Sequence, residues 1–170
     1  MTAYIALLRA VNVGGTGKLP MTDLKGLCDA AGFAKVRTYI ASGNVVFESR
    51  KAESAVKQAL ESSLADYAGK SVDVLVRTAA EMAGVLSGNP FSKLEPNRTV
   101  AIFLDAAPPR DTLKTVTGCN GEQVHLGRRE IYVYYGAGMA KSKLRIPAAK
   151  SGTARNMNTI AKLAQLAADL

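Results

Sequence analysis

The 170-residue sequence has no tryptophan, a single histidine and two cysteines, and only 6% of its residues are aromatic. Each scarcity excludes something. A His/Cys metal cluster needs three or four such ligands, and this inventory cannot supply one, so no metal and no other cofactor is expected. A Ser-His-Asp triad would rest on His125 alone, which lies between Val124 and Leu126 in an alternating strand and is expected to point outward. Cys28 falls on the apolar side of a predicted helix and Cys119 in a Gly-Cys-Asn-Gly turn, a pattern that speaks against a disulfide framework. With ten aromatics (six Tyr, four Phe), the core must be built from Leu, Val, Ile and Ala. No stretch approaches the ~18 apolar residues of a membrane span. The start, Met-Thr-Ala-Tyr-Ile-Ala-Leu-Leu-Arg, lacks a basic leading region and reads as a strand, not a signal peptide. A cytoplasmic protein is expected.

Acidic residues are also scarce, and unevenly so. Lys and Arg number 22 against 14 Asp and Glu, a formal charge of +8. Between Ile131 and Ala168 there is no acid at all, but Lys141, Lys143, Arg145, Lys150, Arg155 and Lys162 all occur. Such a segment attracts phosphates, nucleic acid or acidic proteins, or is simply a solvated basic face.

What is present is a hydrophobic content of 48%, enough for a folded core. Ala3 to Ala10 is an apolar run of strand length, expected in a central strand buried on both faces. A glycine-rich loop follows, and Pro20 opens a helix that carries Leu24, Leu27, Cys28 and Ala31 on one face. Val36–Ile40 and Val45–Phe47 read as a hairpin around Ala41-Ser42-Gly43-Asn44. A second helix through Val56, Leu60 and Leu64 leads to a strand at Val72–Val76. Thr78 with Glu81 forms a capping box for a short third helix. The order recurs with a strand at Val100–Leu104, a helix at Pro109–Val116, a hairpin of Gln123–Leu126 with Ile131–Tyr135, and a closing helix capped by Asn156 or Asn158. The fold expected is α+β, with two pseudo-repeated ferredoxin-like (split βαβ) subdomains and antiparallel or mixed sheets. Residues 1–77 would form the first, 78–98 a connection and 99–170 the second, unless the chain is one compact unit.

Candidate binding residues follow from charge and backbone freedom. Gly14, Gly15 and Lys18 belong to a loop that precedes a helix, where backbone N–H groups can approach an anion. It is not a P-loop: Asn12 stands where the first glycine is required and Leu19 follows Lys18. Arg9, Asn12, Ser42 and Asn44 should cluster where the first strand ends beside the hairpin tip. Lys141, Ser142 and Lys143, then Arg155, Asn156 and Asn158, crowd the approach to the final helix, where Arg155 and Asn158 could bind an anion or Asn156 could simply cap. A sheet-surface RNA binder would need aromatics on its first and third strands, which offer only Tyr4 and Phe47.

Several ordered blocks carry a resemblance. Ala6-Leu7-Leu8-Arg9-Ala10-Val11-Asn12-Val13-Gly14-Gly15, Pro20-Met21 and Arg37-Thr38-Tyr39-Ile40-Ala41-Ser42-Gly43-Asn44-Val45-Val46-Phe47 resemble a widespread bacterial family, domain of unknown function 1697. Asn89-Pro90-Phe91, Gly138-Met139 with Ser142-Lys143-Leu144, and Thr153-Ala154-Arg155-Asn156-Met157-Asn158-Thr159 resemble its later blocks. Met157 stands where relatives often carry an aromatic. The resemblance runs over nearly the whole chain and implies a small α+β protein with duplicated ferredoxin-like parts, but no activity. The function expected is binding of a phosphate-bearing partner, a small molecule such as a nucleotide or a nucleic acid, with no membrane. The alternatives are an enzyme acting on an anionic substrate and a protein-interaction module.

Overall fold

The computed structural model describes residues 1–10 and 18–170. The chain divides into two compact units, Met1–Ala83 with Lys162–Leu170, and Gly84–Ala161. Each contains one four-stranded sheet whose neighbouring strands are all antiparallel.

The first unit runs β1 (Thr2–Leu8), α1 (Met21–Ala30), β2 (Ala34–Thr38), β3 (Asn44–Ser49), α2 (Glu53–Ala68) and β4 (Val74–Thr78), with sheet order β2-β3-β1-β4. That is the ferredoxin-like arrangement expected from the strand and helix order. The central strand β1 is buried from Tyr4 to Leu8 on both faces, which is why its sequence does not alternate. Tyr4, Ala6 and Leu8 point into a core with Leu24 and Cys28 of α1 and Val56, Leu60 and Leu64 of α2. Those helical residues recur every four positions, so each helix turns one apolar stripe to the sheet. Burying each Leu contributes about 1.5–3 kcal/mol. Phe33 stacks on Phe47 with ring centroids 4.3 Å apart. Burial pushes the Cys28 thiol up to about 12, leaving it a packing residue rather than a nucleophile.

The second unit holds the strands β5 (Thr99–Phe103), β6 (Gln123–Leu126), β7 (Glu130–Tyr134) and β8 (Thr153–Asn156). Helices α3 (Ala79–Ser87) and α4 (Met157–Ala168) each begin where an edge strand ends. The sheet order β6-β7-β5-β8 repeats that of the first unit. Val100, Ile102, Ile131 and Val133 form its core.

Two expectations are corrected here. The helix read over Pro109–Val116 is a single 3-10 turn at Thr112–Thr115. Its hydroxyls take the backbone instead: Thr112 Oγ1 donates to the Pro109 carbonyl at 2.6 Å, and Thr115 Oγ1 to the Thr112 carbonyl at 2.9 Å. Strand β8 was not anticipated. Its buried positions, Thr153 and Arg155, are polar, so the usual apolar alternation is missing from the sequence although it is present in the burial. The capping box is formed as read: Glu81 N–H donates to Thr78 Oγ1 at 3.1 Å and Thr78 N–H to Glu81 Oε1 at 3.0 Å. No helix among the described residues is long and apolar enough to cross a membrane.

Candidate functional site

Among the described residues, those singled out from sequence fall in four places. Asn12, Gly14 and Gly15 lie outside the described residues. Lys18, just before α1, is exposed.

At the end of β1, the Leu8 N–H donates to the Gly43 carbonyl at 2.8 Å, and Leu7 pairs with Asn44. The first strand therefore does finish beside the hairpin tip. Asn44 is fully buried, and its Nδ2 donates to the Tyr39 carbonyl at 2.9 Å and to Ser42 Oγ at 2.8 Å. These bonds fasten the loop to itself. Ile40, at φ 51°, is held in the left-handed region that a β-branched residue avoids. Arg9 is half exposed, 3.7 Å from the Asp73 carboxylate, a surface pair of small energetic weight.

At the β8–α4 junction, Asn156 Oδ1 accepts the Thr159 N–H at 2.9 Å, so Asn156 is the helix cap. Asn158 is exposed. Arg155 is buried within the fold: its Nη1 donates to Thr153 Oγ1 at 2.8 Å and to the Ala154 carbonyl at 2.9 Å. Desolvation lowers the Arg155 guanidinium to about 10, still fully charged at neutral pH.

Lys141, Ser142 and Lys143 come together on a cavity of about 490 Å³ in the second unit. One wall is the turn Gly118–Glu122, the other the loop Gly136–Lys143. A two-way backbone bridge ties the walls at their base: Thr117 N–H donates to the Arg145 carbonyl at 3.0 Å and Arg145 N–H to the Thr117 carbonyl at 2.8 Å. Next to it the walls touch so closely that a Cβ added at Gly118, whose φ is +69°, would collide with the Lys143 carbonyl. Only glycine fits there.

Glu122, which the sequence reading passed over, joins the two walls. Ser142 Oγ donates to Glu122 Oε2 at 2.6 Å, and the Asn120 N–H donates to Oε1 at 2.7 Å. These donors, the Ser142 hydroxyl first, hold the Glu122 carboxyl below its ordinary value of 4.5. It is a fixed anion and a weak base. Cys119 is an exposed free thiol in the same wall and donates to the Glu122 carbonyl at 3.2 Å. The signal for Glu122 was its isolation, since it is the one acid between Asp111 and Glu130. His125, pairing with Tyr132, is exposed as expected. Tyr132 is buried and donates to the Val85 carbonyl at 2.8 Å; burial pushes its phenol up to about 12. Among the described residues no His, Cys, Asp and Glu side chains gather in threes as metal ligands.

A family model described as protein of unknown function (DUF1697) matches residues 1–132. That span holds the Gly118–Glu122 wall but ends before the Gly136–Lys143 wall. The structure is similar to that of the conserved bacterial protein SP0830 from Streptococcus pneumoniae, with a TM-score of 0.80 and 23% identity over 98% of both chains. No curated protein matches the sequence.

Proposed function

Because the chain belongs to the DUF1697 family, which is defined without an activity, we propose from its own chemistry that it binds a small phosphate-bearing ligand in the cavity between Gly118–Glu122 and Gly136–Lys143. The observation that carries this reading is the lining itself: Lys141 and Lys143 flank Ser142 on a concave wall of about 490 Å³, a size suited to small molecules. Two lysines on flexible stems supply positive charge to an anion. The remaining bases of the acid-free segment raise the local anion concentration from a distance.

An enzyme reading is less well supported. Its base would have to be Glu122, and the hydrogen bonds that hold that carboxyl low make it a poor proton acceptor. A nucleic-acid partner would spread its contacts over the exposed bases and lose affinity steeply with salt.

Thermal denaturation at low salt tests the proposal, with inorganic pyrophosphate, nucleotides and a short oligonucleotide each added in excess. Binding to the native state raises Tm, and the rise grows with the logarithm of ligand concentration once that exceeds Kd. A rise with pyrophosphate and nucleotides supports the cavity reading. A rise with the oligonucleotide alone would replace it with nucleic-acid binding, and no rise with any would end it.

A further inference from the structure

The cavity holds one feature that a site for phosphate alone does not need, a carboxylate. Glu122 repels any anion placed beside it, so its presence calls for a different part of the ligand. Its geometry says which. Oε2 accepts one hydrogen bond from Ser142 and Oε1 one from Asn120 N–H, at 2.6 and 2.7 Å. A carboxylate offers about four lone-pair positions, and these bonds, with a lesser one from the Glu122 backbone N–H, leave it acceptor capacity to spare. Ser142 and Asn120 also lock the group's orientation from two separate segments. An ionised, oriented carboxylate with spare acceptor capacity accepts adjacent O–H donors well.

We propose that the ligand is a phosphorylated sugar with free vicinal hydroxyls, its phosphate drawn to the Lys141–Lys143 wall and its diol donating to Glu122. This rests on the anion reading above and narrows it. This makes chemical sense of a mixed-charge cavity. Lysine and glutamate in one lining select a molecule that carries both an anionic group and neutral donors. An anion without hydroxyls would meet the repulsion of Glu122 with nothing in return. Free ribose 5-phosphate and the ribose of a nucleoside monophosphate present the same chemistry.

Titration calorimetry on the full chain at low salt separates the cases, with pyrophosphate, ribose 5-phosphate, adenosine monophosphate and its 2′,3′-dideoxy analogue as ligands. The expected result is that adenosine monophosphate binds at least tenfold tighter than the dideoxy analogue. Comparable binding of ribose 5-phosphate would identify the sugar phosphate as sufficient, and much weaker binding would assign the site to nucleotides. In Glu122→Gln the preference should fall to within twofold, since an amide nitrogen cannot accept; a circular dichroism spectrum confirms that this variant folds. Pyrophosphate binding together with equal affinity for the ribose and dideoxy forms would overturn the diol assignment and leave the anion reading standing. No binding by pyrophosphate or any sugar phosphate would overturn both.

Discussion

Arg77 and Arg155 occupy the same step of the two sheets: each is the next-to-last residue of the strand beside the central one, and each is buried. Each donates from Nη1 to the carbonyl just before it, Val76 or Ala154, at 2.9 Å in both cases. The residue after each arginine, Thr78 or Asn156, then caps the helix that follows. The two halves therefore repeat one strand–arginine–cap–helix junction.

Replacing either arginine by alanine leaves buried acceptors without these donors. A buried polar group left unsatisfied costs about 1–3 kcal/mol. Arg77→Ala and Arg155→Ala should each lower the equilibrium stability by that amount in urea titrations, and Lys should not restore it, because an ammonium lacks the guanidinium fork. A loss under about 0.5 kcal/mol, the range of neutral surface substitutions, would contradict this account of the junction.

The two asparagines before α4 should behave oppositely. Asn156→Ala removes a formed cap and should cost about 1 kcal/mol. Asn158→Ala removes an exposed side chain inside the first turn and should stay within about 0.5 kcal/mol. Paired urea titrations of the two variants decide it, and equal losses would contradict the assignment.

At the hairpin, Asn44→Ala should destabilise by about 1–3 kcal/mol through its two buried hydrogen bonds. Ile40→Asn should go the other way. Asparagine tolerates the left-handed backbone that isoleucine is forced into, at a cost of about 1–2 kcal/mol for most side chains. Thermal denaturation should show the first variant melting below the parent and the second at or above it.

Much of this fold was legible in the sequence because apolar periodicity is the main signal of buried structure. The β1 run, the Leu24 and Val56 helical stripes and the Thr78–Glu81 box all carry it. Strand β8 escaped because its inward positions are Thr153 and Arg155, so burial and hydropathy part company there. The 109–116 segment misled because its threonines satisfy the backbone locally and only Thr112 is buried. The site was half legible. Lys141, Ser142 and Lys143 stood out by charge, but their partner Glu122 lies some twenty residues earlier, and the Thr117–Arg145 bridge brings the two segments together.

The Glu122–Ser142 bond carries a pH signature. A carboxyl held low in the folded state contributes stability above its unfolded value of 4.5, and that contribution disappears as pH falls through the lower folded value. Ser142→Ala removes the largest cause. Carbon-detected NMR titration of the Glu122 carboxyl should show its midpoint moving up toward 4.5 in the variant. An unchanged midpoint would mean that Ser142 does not hold this carboxylate.

The most direct measurement compares pyrophosphate affinity by low-salt calorimetry in two double variants of equal charge. Lys141→Ala with Lys143→Ala removes the bases lining the cavity, and Lys114→Ala with Lys162→Ala removes two exposed bases elsewhere. If the cavity is the site, the first pair should weaken binding at least tenfold and the second by no more than about twofold, the modest effect of lost long-range attraction. Equal weakening in both would show that anions respond only to net charge, and would contradict a ligand site between Gly118–Glu122 and Gly136–Lys143.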